Sequence, residues 1–470
     1  MESCKLQDGS QFSLSPKRPL FSFELNNTLT TSLQFTKSKN NSQNQFVYKD
    51  KLNGSLEIQN EFSPGWKAVF TFTNISSDTI EISNVVPLGQ ADDHLYITAS
   101  GPWSLARSKI FRPGVGPVGV VLPDNAWELG YSDIALDENV SICALSRRSS
   151  FEQAQRKRWK TILYPGGSVS YDIYADAYSG LWQNGLRMMF QQRWLYDLQA
   201  FDNTLFERED LKWIRHCYVM AMQFAWDHRF YDDGYQFADF LQEGERLFGG
   251  YDVFTIWATW PTLGVDQRNQ WDLYGDLPGG LPKLNELAQY ARSRGTRFFI
   301  SYNPWDQSTR QEDPYAGMAR LISEIDADGV VLDTRGSSSR ELQQAADSAK
   351  PGVVLYSEGM AVPKDMPGIV AGRVHDAIYM PPPLNLNKFI KPEFAIFRVC
   401  QLNEGRLHRE IAVSFFNGIG IEINTFAPGR PEWMEEDFLY LGKTTKLLWE
   451  NTSAFTSRDW TPLLPTLKYS

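Results

Sequence analysis

Asp326–Leu342 reads DADGVVLDTRGSSSREL. Its apolar triplet Val330-Val331-Leu332 is the right length for a short buried strand, and it stops on a carboxylate, Asp333. A Thr-Arg-Gly-Ser loop follows. SSRE then supplies a capping box, Ser338 with Glu341, for the helix that starts there. Asp333 lies too early in the chain to cap that helix, so a different reason is needed for a carboxylate where a buried strand emerges.

The same strand–loop–helix unit recurs on both sides. Upstream, YVMAMQFAW (218–226) reads as a first strand, although it could pass for a buried helix, and YQFADFLQEGERLFGG follows as a helix with a glycine stop. YDVFTIWATW (251–260) is a second strand, followed by the amphipathic helix LPKLNELAQYARSRG, with Pro near its start and Gly at its end. TRFFISYNPWD (296–306) is a third, followed by the helix DPYAGMARLISEID. Downstream come GVVLYSEG (352–359), DAIYM (376–380) as a sixth strand and GIGIEINTF (418–426) as a seventh. Apolar strands alternating with helices give parallel sheet, and this many repeats predict a (β/α)8 TIM-type barrel over 217–470. No eighth strand is evident, so the barrel is expected to be truncated at its C-terminus.

Residues 1–180 follow a different pattern. GWKAVFTFTNISSDTIEISNVVPLG alternates apolar and polar residues, breaks at Ser76-Ser77-Asp78 and resumes, which predicts a hairpin. SLQFT, SLEIQ, GVVLP, SICALS and SVSYDIYA continue at short spacings between Gly, Asn, Asp and Pro. An antiparallel β-sandwich is expected, with nothing catalytic in it. Residues 181–216 turn helical and aromatic and read as a linker.

The totals narrow the function classes. A net charge of −10 without a basic stripe argues against nucleic acid as a partner. No apolar run is long enough to span a membrane. The start, MESCKLQDGS, has no apolar signal core, which leaves two expectations: a cytoplasmic protein, or a secreted or periplasmic one whose leader has been removed. Cys4, Cys143, Cys217 and Cys400 show no C-x-x-C spacing, and five histidines show no H-x-H or H-x-x-x-H pair, so neither metal nor cofactor is expected. Cys400 reads as core filler. Aromatic residues reach 14%; their flat faces suit the C–H-rich sides of sugar rings as well as an ordinary core.

Chemistry on such a barrel belongs to the C-terminal ends of its strands. Those positions carry Trp257 and Trp260, then Trp271 in the loop beyond, then Tyr302-Asn303-Pro304-Trp305-Asp306, Asp333-Thr334-Arg335, Tyr356-Ser357-Glu358, and Glu422 with Asn424. Indoles, phenols and carboxylates predominate, and no glycine-rich phosphate loop is present. The expected substrate is an oligosaccharide or glycoconjugate. Asp333 and Glu358 close neighbouring strands. Adjacent strands lie about 4.8 Å apart, so these carboxyl groups can approach to roughly 5–6 Å. Retaining glycosidases need about 5–5.5 Å and inverting ones about 6.5–9.5 Å. In a retaining enzyme one carboxylate attacks the anomeric carbon, and the other protonates the leaving oxygen and then activates water. The competing reading of Glu358 is a carboxylate paired with Arg335 or Arg373. Asp306 could equally bind sugar hydroxyls or brace Arg310 or Arg335.

A β-sandwich followed by a barrel, with GVVLDTRG ending one strand and LYSEG the next, resembles the retaining α-glycosidases that carry an N-terminal sandwich. Nearest in layout are glycoside hydrolase families 101 and 129, which act on α-N-acetylgalactosaminides; the α-amylase-like barrels are more distant. The resemblance implies an α-linked substrate, Asp333 as nucleophile and Glu358 as acid/base. Trp260, Trp271, Tyr302 and Trp305 would then border the sugar. Asn303 and Asp306 would bind its hydroxyls, with Arg335 and Asp376 among the substrate contacts. Two departures stand out. The α-amylase pattern has Arg two residues before the nucleophile, where this chain has Val331, and the nearest His-Asp pair is His375-Asp376 at the sixth expected strand. The α-galactosidase-like barrels place an acid/base Asp on strand six, which makes Asp376 the rival candidate, although it falls at the start of the expected strand. A non-catalytic glycan-binding barrel and a metal-dependent hydrolase are the alternatives from other classes.

Overall fold

The computed structural model describes residues 19–37, 45–59, 65–88, 129–135, 140–157, 160–180, 182–192, 202–225, 236–257, 270–303, 313–333, 335, 338–358, 366–374, 391–401, 406–424 and 433–461, with short pieces at 4–5, 11–12, 108–111, 118–119, 384–385 and 388–389. The chain divides into two compact units. One is drawn from 1–118, 122–199 and 464–470, the other from 119–121 and 200–463.

The second unit is a closed barrel of eight parallel strands: Val219–Phe224 (β1), Val253–Trp257 (β2), Arg297–Tyr302 (β3), Gly329–Leu332 (β4), Val354–Ser357 (β5), Ala371–Val374 (β6), Ala395–Gln401 (β7) and Gly420–Asn424 (β8). β8 closes the ring on β1 through pairs such as Met220 with Glu422. The expectation of a truncated barrel is therefore wrong. The strand between the expected sixth and seventh was missed, and the sixth was misplaced, since β6 precedes DAIYM, which lies outside the described residues. Both missed strands have a physical reason. β6 has only four residues, two of them Ala and Gly, and β6 and β7 each carry a buried arginine, Arg373 and Arg398, that interrupts the apolar run.

The helices begin and end where local chemistry directs. Asp313 accepts hydrogen bonds from the backbone N–H groups of Tyr315 and Ala316 and caps the helix Pro314–Ile325. The helix Phe237–Phe248 ends on Gly249, which sits at φ 92°. Inside the barrel, a Cβ on Gly329 would stand 2.3 Å from the ring of Phe299, its register partner on β3, so only glycine leaves the ring its place.

The N-terminal end of the barrel is braced by carboxylates. Asp328, just before β4, is 3% exposed; it accepts from the Phe298 N–H and pairs with Arg292, Arg297 and Lys350. Asp252, just before β2, accepts from Tyr218 N at 2.6 Å, Val219 N at 2.9 Å and Trp449 Nε1 at 3.1 Å. Burial pushes the Asp252 carboxyl up to about 7, against three donors that favour its ionised form. Unfolded carboxylates titrate near 4. The stability this group contributes is therefore complete below about pH 4 and is lost as the pH rises through about 7. Asp252→Asn, which keeps an acceptor oxygen without the charge, is expected to flatten that part of the decline in Tm between about pH 4 and 7. Thermal unfolding across this range checks it, and an unaltered pH dependence would remove Asp252 as its source.

The first unit is an antiparallel sheet that curls over its own core, with eleven strands joined in one hydrogen-bonded network. Its pivot is the long strand Lys160–Tyr178. Residues 168–175 of this strand pair with Trp66–Asn74, and residues 160–163 with Ile80–Pro87. Between them lies the bend Tyr164-Pro165-Gly166-Gly167, where a Cβ on Gly167 would meet the Gln153 carbonyl oxygen at 2.2 Å. A strand that changes layer at a bend is how a sandwich makes its corner. The two segments expected to form a hairpin therefore do not pair with each other. Each joins the long strand at a different level, and the turn between them is held by Asn74 Nδ2 donating to the Asp78 carbonyl. SLQFT is likewise not a strand throughout, because Ser32–Gln34 form a 3-10 turn. GVVLP falls largely outside the described residues. The enclosed core is aromatic, with Phe21 against Phe70 at 4.3 Å and Phe23 against Phe72 at 4.7 Å, so part of the aromatic excess is packing. Trp182–Gln192 form a helix that packs on this sheet, while 204–216 belong to the barrel unit. Among the described residues, no helix is long and apolar enough to cross a membrane.

Candidate active site

Strand β4 is bracketed by two buried carboxylates. At its N-terminal end, Asp328 faces three cations. At its C-terminal end, Asp333 accepts from the Asn303 amide. Asp333 is 5% exposed; its N–H donates to the Tyr302 carbonyl at 2.9 Å, extending the β3–β4 ladder one residue further, and its Oδ2 accepts from Asn303 Nδ2 at 3.2 Å. Asn303 is itself clamped: its N–H donates to Gln270 Oε1 at 2.7 Å, and Gln270 Nε2 donates to its carbonyl at 2.8 Å. Gln270 opens the helix Gln270–Asp276, whose Tyr274 hydroxyl also holds the Ser301 backbone. The loop after β2 thus fixes the end of β3, which fixes Asp333. Gln270 escaped sequence reasoning because nothing in its local pattern marks it.

Asp333 caps no helix. The cap of Arg340–Ala349 is Ser339, whose hydroxyl accepts from Leu342 N at 3.1 Å, so the cap lies one residue later than expected and the Ser338–Glu341 box does not form, because the N3 position falls on Leu342. Glu341, fully exposed, still takes part: its own backbone N–H and the Ser339 hydroxyl hold its carboxyl below the ordinary range.

Glu358 follows β5 as Asp333 follows β4. Leu332 and Ser357 are register partners, and the Glu358 N–H donates to the Leu332 carbonyl at 3.2 Å, so the two carboxylates occupy the next level on adjacent strands. Ser357 Oγ donates to the Arg335 carbonyl at 2.8 Å and ties the two strand ends together. The Glu358 side chain is 18% exposed and lies 3.6 Å from Arg373 Nη2. Arg373 is one of the two partners anticipated for it.

Below this level is a layer that the sequence reading did not assemble. Arg373 projects from β6 into the barrel, with its other amino group 3.3 Å from Glu422 Oε1 on β8. Its guanidinium carbon lies 5.0 Å from the centre of the Trp257 ring on β2, and Nη2 is 3.8 Å from Met222 Sδ on β1. The Tyr356 hydroxyl donates to Glu422 Oε2 at 2.6 Å. Burial, and then the Glu422 charge, push the Tyr356 phenol well up. Arg373 and Glu422 are 2% and 0% exposed. A lone charge within each of two apolar strands, AGRV and GIEIN, is the signal that could have found this layer.

The remaining expected contacts divide. Tyr302 is enclosed at 1% exposure, with burial pushing its phenol up to about 12, so its ring is core rather than a platform for sugar. Trp257 is likewise enclosed. Arg335 lies at the β4 end. Trp271 sits within the helix Gln270–Asp276, and its side chain lies outside the description, as do Trp260, Trp305, Asp306 and Asp376 entirely. Because β6 ends at Val374, His375 and Asp376 follow the strand in sequence instead of opening it, and the objection to Asp376 falls away. Among the described residues, no group of three or more His, Cys, Asp or Glu is placed to hold a metal ion.

No family model matches the chain, and no curated protein matches it. Solved structures similar to it include α-N-acetylgalactosaminidase NagBb from Bifidobacterium bifidum, at 11% identity over 96% of this chain and 93% of that one, with a TM-score of 0.43. α-Galactosidase TtGalA from Thermus thermophilus aligns at 13% identity over 83% of this chain and 97% of that one, with a TM-score of 0.39. A cyclomaltodextrinase aligns at 12% identity over 72% and 84%, with a TM-score of 0.37.

Proposed function

We propose that this chain is a retaining α-glycosidase acting on an oligosaccharide or glycoconjugate, with Asp333 as nucleophile and Glu358 as acid/base. The observation that carries the reading is the placing of these two carboxylates at one level on the C-terminal ends of adjacent barrel strands. In the first step a carboxylate oxygen of Asp333 bonds to the anomeric carbon, while the bond to the leaving oxygen breaks and Glu358 gives that oxygen its proton. In the second, Glu358 takes a proton from water, the water oxygen attacks the same carbon, and the ester to Asp333 breaks. Asn303 holds Asp333 Oδ2. Trp260, Trp271, Trp305, Asp306 and Arg335 are the proposed sugar contacts.

A second reading is favoured by the Arg373 contact and by the early end of β6. Here Glu358 is a paired structural carboxylate and Asp376 is the acid/base. The test is a screen of aryl α- and β-glycosides, followed by alanine variants at 333, 358 and 376 with azide added. Azide should rescue Glu358→Ala with an α-glycosyl azide as product, and Asp333→Ala with the β-anomer. Rescue with α-azide at 376 instead of 358 would move the acid/base. Glycan binding with no turnover of any aryl glycoside would leave a binding barrel.

A further inference from the structure

We propose that Glu422 and Arg373 form a charge-sharing pair that positions Glu358 and sets how readily it holds a proton. The inference rests on the reading of Glu358 as acid/base and deepens it. A guanidinium 3.6 Å from Glu358 would by itself favour the carboxylate, the wrong bias for a group that must arrive protonated. Arg373 is not committed to Glu358, however. It sits closer to Glu422, at 3.3 Å, and Glu422 is fully enclosed, so that carboxylate has the stronger need of the cation. One positive charge is divided between two carboxylates, and when Glu358 takes up a proton a neutral Arg373–Glu422 pair remains. Tyr356 completes the arrangement by donating to the oxygen of Glu422 that Arg373 does not face.

Among the described residues, the elements around Glu358 carry these charged or titratable groups: Asp333 after β4, Arg335 beyond it, Tyr356 on β5, Arg373 on β6 and, through Arg373, Glu422 on β8. Of these, Glu422 can lose its charge with the least disturbance at the rim. It lies inside the barrel, and glutamine keeps its shape and an acceptor for Tyr356.

The experiment follows the Glu358 carboxyl directly. The full chain is labelled with 13C at the glutamate side-chain carboxyls and titrated by NMR, with the Glu358 signal assigned by its absence from Glu358→Gln. In Glu422→Gln, Arg373 falls to Glu358 alone, and its titration midpoint is expected to move down by about one pH unit, a tenfold loss of proton affinity. Glu422→Asp withdraws the charge by one methylene and is expected to give a smaller shift the same way, which keeps the test open if the glutamine variant does not fold. An unmoved midpoint in whichever variant folds overturns the proposal. The alkaline limb of kcat/KM is then measured on an aryl α-glycoside. If it shifts down with the midpoint, both inferences hold. If the midpoint moves and the limb does not, the charge-sharing pair stands and the acid/base role of Glu358 is lost.

Discussion

Asp333→Asn is expected to reduce kcat/KM on any aryl α-glycoside that the protein turns over by at least about 1000-fold, on the order of 4 kcal/mol of barrel-rim chemistry. An amide cannot form the glycosyl ester, so the double displacement loses its first step rather than being slowed through misplacement. Stability should be little altered. The backbone bond from residue 333 to the Tyr302 carbonyl does not depend on the side chain, and an asparagine oxygen can accept from Asn303 Nδ2 as the carboxylate does. Paired thermal melts and kinetics separate the two effects. Retention of more than about a tenth of the activity in a folded Asp333→Asn protein would end the assignment of Asp333 as nucleophile. A large fall in Tm would instead show that this carboxylate is needed to hold the end of β4.

What the sequence revealed depended on where each residue sits in its strand. Asp333 and Glu358 were legible because each stands where a run of buried aliphatic residues stops, and the C-terminal ends of barrel strands are where side chains reach the rim. The same logic failed for β6 and β7. A charged residue within an apolar run reads as the end of a strand, yet Arg373 and Arg398 lie inside theirs, buried. The hairpin at Ser76-Ser77-Asp78 failed for a different reason. Alternation identified both strands, but alternation does not say which neighbour a strand takes, and the bend at Gly166-Gly167 gives both to a third strand. The loop after β2 shows a further limit: the Gln270–Asn303 amide pair that steadies the site joins residues 33 apart in sequence, with no periodicity to announce it.

The interior layer carries the largest expected effect on stability. Arg373→Met removes the one cation that, among the described residues, is placed against Glu422, a carboxylate with no exposure to solvent and with no hydrogen bond to its Oε1 among those residues. Stranding such a charge costs about 3–5 kcal/mol, which in a domain of this size lowers Tm by roughly 10 °C. The Tyr356 hydroxyl offsets little of this, because it already donates to the other oxygen. The same reasoning predicts a recovery. In Arg373→Met/Glu422→Gln neither member of the pair leaves an uncompensated charge behind, the methionine fills space between Trp257 and Met222, and the glutamine still accepts from Tyr356. The double variant should therefore regain more than half of what the single variant loses, as expected when both members of a buried pair are replaced together. Thermal unfolding of wild type, both single variants and the double variant completes the cycle. If the losses of the single variants simply add in the double, Arg373 and Glu422 do not act on each other, and the division of one positive charge between Glu422 and Glu358 has no basis.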